Sequence, residues 1–150
     1  MKYRLATKED MSELAIMRYA QQCEKGVLVN VQREEFIDIV SNFYMCFSEK
    51  RWNCWVAVQG EKIISHIFIQ TMERIPDFNR IDGKLGYVTN VYTVPEYRNK
   101  GIGSRLMKKV IEWSKVQGYE ALIVWSAGKA TPFYERFGFT NKNKIFELRF

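Results

Sequence analysis

The chain has 150 residues, 47% of them hydrophobic and 15% aromatic, with a formal net charge of +6. That size and apolar content suit one compact domain with its own core and exclude a disordered chain. The positive balance favours an anionic partner, with nucleic acid, an anionic membrane and a phosphorylated cofactor all open on charge alone. Three cysteines (Cys23, Cys46, Cys54) without metal-ligand spacing, and the single histidine His66, exclude a His-rich zinc site and fit free thiols in a reducing cytosol. MKYRLATKED has no signal-like apolar stretch, and no segment approaches the roughly 20 apolar residues that span a bilayer, so a soluble cytoplasmic protein is expected.

In chain order, Tyr3 to Ala6 suits a short strand, and Thr7 offers a helix N-cap with Glu9 and Asp10 in the first turn. Met11, Leu14, Ala15, Ile16 and Met17 support a helix to about Glu24, stopped near Gly26. A second helix is expected from Arg33 to about Ser48, its buried stripe formed by Phe36, Ile37, Ile39, Val40, Phe43 and Tyr44. Cys54–Val58 and Lys62–Gln70 read as strands joined by the short connection Gln59-Gly60-Glu61, an antiparallel hairpin. RIPDFNRIDGK reads as an exposed loop. Gly86–Val94 is a strand ending at Pro95, and Ser104 to about Gln117 is a helix stopped by Gly118. Ala121–Trp125 is a strand, Ala130 to Arg136 a short helix ended by Gly138, and Ile145–Phe150 a final strand. The strand–helix–strand unit from Gly86 to Trp125 requires a parallel pair, so the fold class is α/β (α+β), a mixed sheet with helices on both faces, in a single domain over residues 1–150.

Between that strand and helix the chain reads RNKGIGSRL. A helix N-terminus exposes unpaired N–H groups, and glycines before it let an anion approach them. Gly101 and Gly103 remove side chains while Arg98 and Lys100 add charge, which fits a pyrophosphate; a plain strand-to-helix connection is the competing reading. A dinucleotide fingerprint is disfavoured because Leu106 stands where glycine or alanine is needed. The P-loop pattern is also disfavoured, since Gly-Ile-Gly-Ser replaces Gly-Lys-Ser/Thr.

The longer stretch VTNVYTVPEYRNKGIGSRL, followed by SAGKATPFYERFGF, closely resembles the GNAT superfamily of N-acetyltransferases. The R-x-x-G-x-G core falls on Arg98, Gly101 and Gly103, and the F-Y-x-x-x-G-F ending on Phe133, Tyr134, Gly138 and Phe139. The resemblance is strongest from about Gly86 to Phe139. It implies a GNAT-like fold with a splayed parallel strand pair and about four flanking helices. It also implies acetyl-CoA as donor, with no metal: the pyrophosphate on backbone N–H groups of Arg98, Asn99, Lys100, Gly101, Ile102, Gly103 and Ser104, and the pantetheine arm along Val91, Tyr92 and Thr93. A backbone N–H near Val91 would polarise the thioester carbonyl. Tyr134 matches the family's tyrosine near the thiol and is the candidate general acid, against the alternative of an ordinary core aromatic like Phe133 and Phe137 beside it.

Some positions depart from that pattern. Thr89 and Asn90 stand where many relatives carry acids, leaving the general base to a water chain, to Glu73 or Glu24, or to His66, whose other reading is a structural histidine. Ala127 replaces an asparagine that often contacts the cofactor, and Ser126 beside it offers a hydroxyl. The first two helices, with Glu24, Glu34, Glu35 and Asp38, would line the acceptor side; those acids are otherwise a solvated face. Trp52 and Trp55 would stack on a ligand or pack in the core, packing being the simpler role. The expected activity is acetyl transfer from acetyl-CoA to a primary amine of a small molecule or peptide by direct attack in a ternary complex. The alternative is an acyl-CoA-binding sensor with little or no turnover. No recognition-helix or stacking-sheet motif supports nucleic acid, and a homodimer stays open.

Overall fold

The structure, a computed structural model, describes residues 1–26, 30–47, 49, 51–141 and 148–150. One sheet runs in the order β1 (Lys2–Leu5), β2 (Trp52–Gln59), β3 (Lys62–Glu73), β4 (Lys84–Thr93) and β5 (Ala121–Val124). The first three neighbouring pairs are antiparallel, and β4 and β5 are parallel, as a crossover helix between them demands. Helices α1 (Met11–Glu24) and α2 (Arg33–Met45) cover one face. Helices α3 (Ile102–Val116) and α4 (Thr131–Glu135) cover the other. β3 is apolar on both sides because helices lie on both: Ile63 and Phe68 face α1 and α2, while Ile64, Ile67 and Ile69 face α3.

Element order agrees with the sequence reading, and the differences lie at boundaries. β2, β3 and β4 each start or run further than expected, since ladder pairing continues past the apolar stretch to Glu73↔Lys84. α2 stops at Met45 rather than near Ser48, which is outside the described residues. Its end is set by tertiary packing: Phe47 leaves the helix to lie between Tyr44, Trp52 and Phe68. The strand expected over Ile145–Phe150 falls partly outside the described residues, and residues 148–150 carry no regular structure. Among the described residues, no helix is long and apolar enough to cross a membrane. The three cysteines are unpaired, and Cys54 is buried.

Asp10 fixes the start of α1. Its carboxylate accepts the Thr7 backbone N–H at 2.7 Å and a two-pronged bond from Arg4 at 2.6 and 2.9 Å, joining β1 to the helix. These bonds, the Arg4 contact foremost, outweigh desolvation and hold the Asp10 carboxyl below its ordinary value. Asp10 therefore stabilises the fold fully above its unfolded-state pKa and loses that contribution as pH falls through the folded-state value. Asp10→Asn should cost about 1–3 kcal/mol at pH 7. In melts at pH 7 and in acid, the gap between wild type and variant should close in acid; an equal gap at both would show that the carboxylate charge is not what anchors the helix.

Candidate functional site

The site begins with a miscount between β3 and β4. His66 pairs with Tyr92 but Phe68 pairs with Thr89, so three steps of β4 lie against two of β3. The surplus residue makes a β-bulge, and Asn90 within it adopts φ +47, a left-handed geometry that asparagine tolerates better than most side chains. β4 and β5 are in register only from Leu85↔Ala121 to Val88↔Val124. Beyond Val88 the two strands part, and among the described residues Thr89–Thr93 pairs with nothing on the β5 side. Unpaired backbone of this kind is a ready set of donors and acceptors for an extended ligand.

At the end of this open edge the chain passes through a 3-10 turn, Pro95–Tyr97, into α3. Asn99 (φ +60) and Gly101 (φ +72) are both left-handed and flank Lys100, the alternation that turns successive N–H groups into one concavity. No side chain caps α3 at Gly101, so the first-turn N–H groups of Ile102, Gly103 and Ser104 have no partner within the helix. Arg105 Nη2 donates to the Lys100 carbonyl at 2.9 Å and its Nε to the Tyr3 hydroxyl at 2.8 Å, which holds the loop against β1. A Cβ on Gly103 would lie 3.4 Å from Thr93 Oγ1 and 3.9 Å from the Phe133 ring, so that glycine faces the space between the end of β4 and α4.

Tyr134 borders the same space. It is buried in the core cluster that includes Ile102 and Val88, its ring centroid 5.2 Å from Phe133 and 5.6 Å from Phe139. Among the described residues its hydroxyl makes no hydrogen bond. Burial, with Tyr87 nearby, raises its pKa above the ordinary phenol value, so it stays protonated at neutral pH. Val91, Ile102, Phe133 and Tyr134 pack in one core cluster, and Thr93 and Phe133 both border Gly103. The Ser126 hydroxyl donates to the Ala127 carbonyl at 2.9 Å and lies 3.3 Å from Thr131 Oγ1, tying the turn before α4.

The Arg98 side chain is held by its neighbours, and its backbone N–H donates to the Pro95 carbonyl at 3.1 Å. Its Nη2 donates to Glu24 Oε2 at 2.6 Å, its Nε to the Thr93 carbonyl at 2.9 Å, and it lies over the Tyr92 ring at 5.4 Å. The Tyr92 hydroxyl donates to the other Glu24 oxygen at 2.6 Å. Desolvation alone would raise Glu24, but these two donors prevail and hold its carboxyl low. Burial and the Glu24 contact push the Tyr92 phenol up to about 12. This clasp takes two of the expected groups out of free play: Arg98 as a bare cation and Glu24 as a base.

The other base candidates fare no better. Glu73 pairs with Arg51 at the far end of β3, on the order of 25 Å along the strand from Thr93. His66 is fully buried, with ring centroids 5.1 Å from Phe68 and 5.7 Å from Tyr92. Burial pulls its pKa down to about 3, and the Arg18 cation acts in the same sense. Glu34, Glu35 and Asp38 are exposed on α2. Trp52 stacks on Phe47 and Trp55 meets Trp113 edge-on, so both pack.

Two residues not singled out by the sequence reading hold the bulge. Arg18 on α1 donates to Asn90 Oδ1 at 2.9 Å, and Asn90 Nδ2 to the Tyr44 hydroxyl at 3.3 Å. Gln21 Nε2 reaches the Val91 carbonyl at 3.4 Å. A signal for Arg18 was present: it follows Met11, Leu14 and Ala15 at the spacing of their buried stripe.

An open parallel strand pair, a loop carrying two glycines before an uncapped helix, and a buried protonated tyrosine thus lie at one end of the sheet. A family model described as "Acetyltransferase (GNAT) family" matches residues 14–139, and the chain belongs to that family. It is 36% identical over 64 residues to a glucosamine 6-phosphate N-acetyltransferase of Trypanosoma brucei brucei, covering 43% of this chain and 44% of that protein. It is 30% identical over 73 residues to a glucosamine 6-phosphate N-acetyltransferase of rice, covering 49% and 44%. These matches span less than half the length of the curated relatives. A predicted acetyltransferase of Clostridium acetobutylicum, solved with acetyl-CoA, superposes with TM-score 0.81 at 23% identity over 99% of this chain and 95% of that one. A GCN5-related N-acetyltransferase from Ralstonia eutropha gives 0.75 at 19% identity over 99% and 97%. Likeness at these identities shows a common fold.

The two glycines should separate by mutation. Gly101→Ala forces a left-handed alanine against Arg105 Nη1 at 3.1 Å and should cost about 1–2 kcal/mol. Gly103, free of that conformational demand and with ordinary contacts around its missing Cβ, should accept alanine within about 1 kcal/mol. Thermal denaturation of both variants checks this; equal losses would contradict the geometry.

Proposed function

We propose that the chain transfers the acetyl group of acetyl-CoA to a primary amine by direct attack in a ternary complex. The observation that carries the reading is the unpaired β4 edge leading to the uncapped start of α3. Residues Asn99 to Ser104 would hold the pyrophosphate on backbone N–H groups, the Arg98 N–H being bonded to the Pro95 carbonyl at 3.1 Å, with the left-handed Asn99 and Gly101 shaping the concavity and Lys100 adding charge. The backbone of Val91, Tyr92 and Thr93 would take the pantetheine arm. Gly103 provides a space that a side chain would fill. Acetyl-CoA supplies the thioester whose carbonyl the amine attacks.

The chain's own contribution is orientation and one proton. The Val91 N–H, at the bulge, is the donor for the developing oxyanion. Tyr134 gives its proton to the departing thiolate, and its raised pKa keeps that proton in place at neutral pH. With Glu24 and Glu73 in ion pairs and His66 buried and neutral, the amine's proton leaves through water. The engagement of Glu24 and Glu73 in ion pairs also favours the second reading, a sensor that binds acyl-CoA with little turnover.

A thiol-release assay separates the two. With an accepted amine, Tyr134→Phe should lower kcat about a hundredfold while KM for acetyl-CoA moves less than about threefold. The wild-type rate should show no basic-limb decline attributable to Tyr134 below about pH 10. Normal turnover by Tyr134→Phe would remove the general-acid assignment, and binding of acetyl-CoA without thiol release on any amine would establish the sensor.

A further inference from the structure

Arg18 is the least compensated cation near the bulge. It is half-buried in the layer between α1 and β4, yet the groups that accept its hydrogen bonds are neutral amides. Its Nη1 donates to Gln21 Oε1 and to Asn90 Oδ1, each at 2.9 Å. Its Nη2 reaches Gln22 at 3.1 Å in the amide orientation that satisfies that side chain. Among the described residues no carboxylate lies within ion-pair distance of it, whereas Arg4, Arg33, Arg51, Arg74, Arg80 and Arg98 each have one. The carboxylate placed further along α1, Glu24, is held by Arg98 and Tyr92. A guanidinium partly withdrawn from water without a counter-charge is unfavourable unless an anion completes it.

Its position gives the anion a purpose. Arg18 touches Asn90, the residue before Val91, and Gln21 one helical turn on touches the Val91 carbonyl. It approaches the bulge from the face covered by α1 and α2, opposite the face where Ile102 and Tyr134 are buried. We propose that the acceptor carries, besides its amine, an anionic group, a phosphate or a carboxylate, and that the Arg18 guanidinium binds it at the bulge of β4. The guanidinium fork suits either group, and Gln21, Gln22 and Asn90 hold that fork in place without neutralising it. An expected acceptor side lined with carboxylates would select a polycationic amine; this arrangement selects a zwitterionic one. The inference rests on the transferase reading above.

The test measures acetyl-CoA-dependent thiol release with amines paired by charge: glucosamine 6-phosphate against glucosamine for the phosphate, and L-alanine against L-alaninamide for the carboxylate. In one arm the anionic member should have the higher kcat/KM by about tenfold or more, and that arm identifies the anion. Arg18→Gln should collapse the ratio by about tenfold, through the KM of the anionic acceptor, and Arg18→Lys should restore part of it. Uncharged amines turned over as well as their anionic partners, or a ratio untouched by Arg18→Gln, would overturn the proposal and leave the transferase reading standing. No turnover with any of the four, while acetyl-CoA still binds, would overturn both.

Discussion

The surplus residue at the bulge of β4 is the constraint on which the rest of the site depends. A regular β4 would carry its ladder with β3 through Thr93 without the extra twist that a bulge adds. The sequence supplies an asparagine where the backbone turns left-handed, and the structure fastens that side chain from both ends, to Arg18 and to Tyr44. The parting of β4 from β5 after Val88 begins next to this point, and it leaves the open edge on which the functional reading rests. Helices on both faces then bury the sheet, so the opening stays confined to one end.

Helix α1 ties the two halves of the site together. Near its middle Arg18 grips the bulge, and at its last residue Glu24 grips Arg98 and Tyr92. Its first turn is fixed to β1 by Asp10 and Arg4. One helix thus touches both the interior of β4 and the loop that leads into α3. As an exposed ion pair, Glu24–Arg98 would contribute little to stability by itself. Its shared partners, the Tyr92 hydroxyl and the Thr93 carbonyl, give it geometric definition.

Most of the fold was legible in the sequence because its signals are local. Apolar runs either side of a short glycine connection marked β2 and β3, Pro95 ended β4, and the glycines and charges of RNKGIGSRL marked the start of α3. Two motifs in the right order then tied that turn to the family that the comparison found. What escaped was set by distant contacts. A one-residue bulge within VTNVYTV reads as any β-branched strand, since nothing local distinguishes the extra residue. Glu24 looked like a free acid because Arg98, its partner, lies 74 positions away. Arg18 was not singled out, although its place on the Met11–Leu14–Ala15 stripe turns it inward. Ser126 looked available because the turn that occupies its hydroxyl is not visible in composition.

The central claim is that the open edge of β4 and the start of α3 together form the acetyl-CoA site. Amide hydrogen exchange with and without acetyl-CoA tests it most directly. The account predicts added protection in the stretches 89–93 and 99–104, with the β3–β4 loop at 74–83 unchanged. Binding that protects neither stretch, or that protects the loop at 74–83 instead, would contradict it.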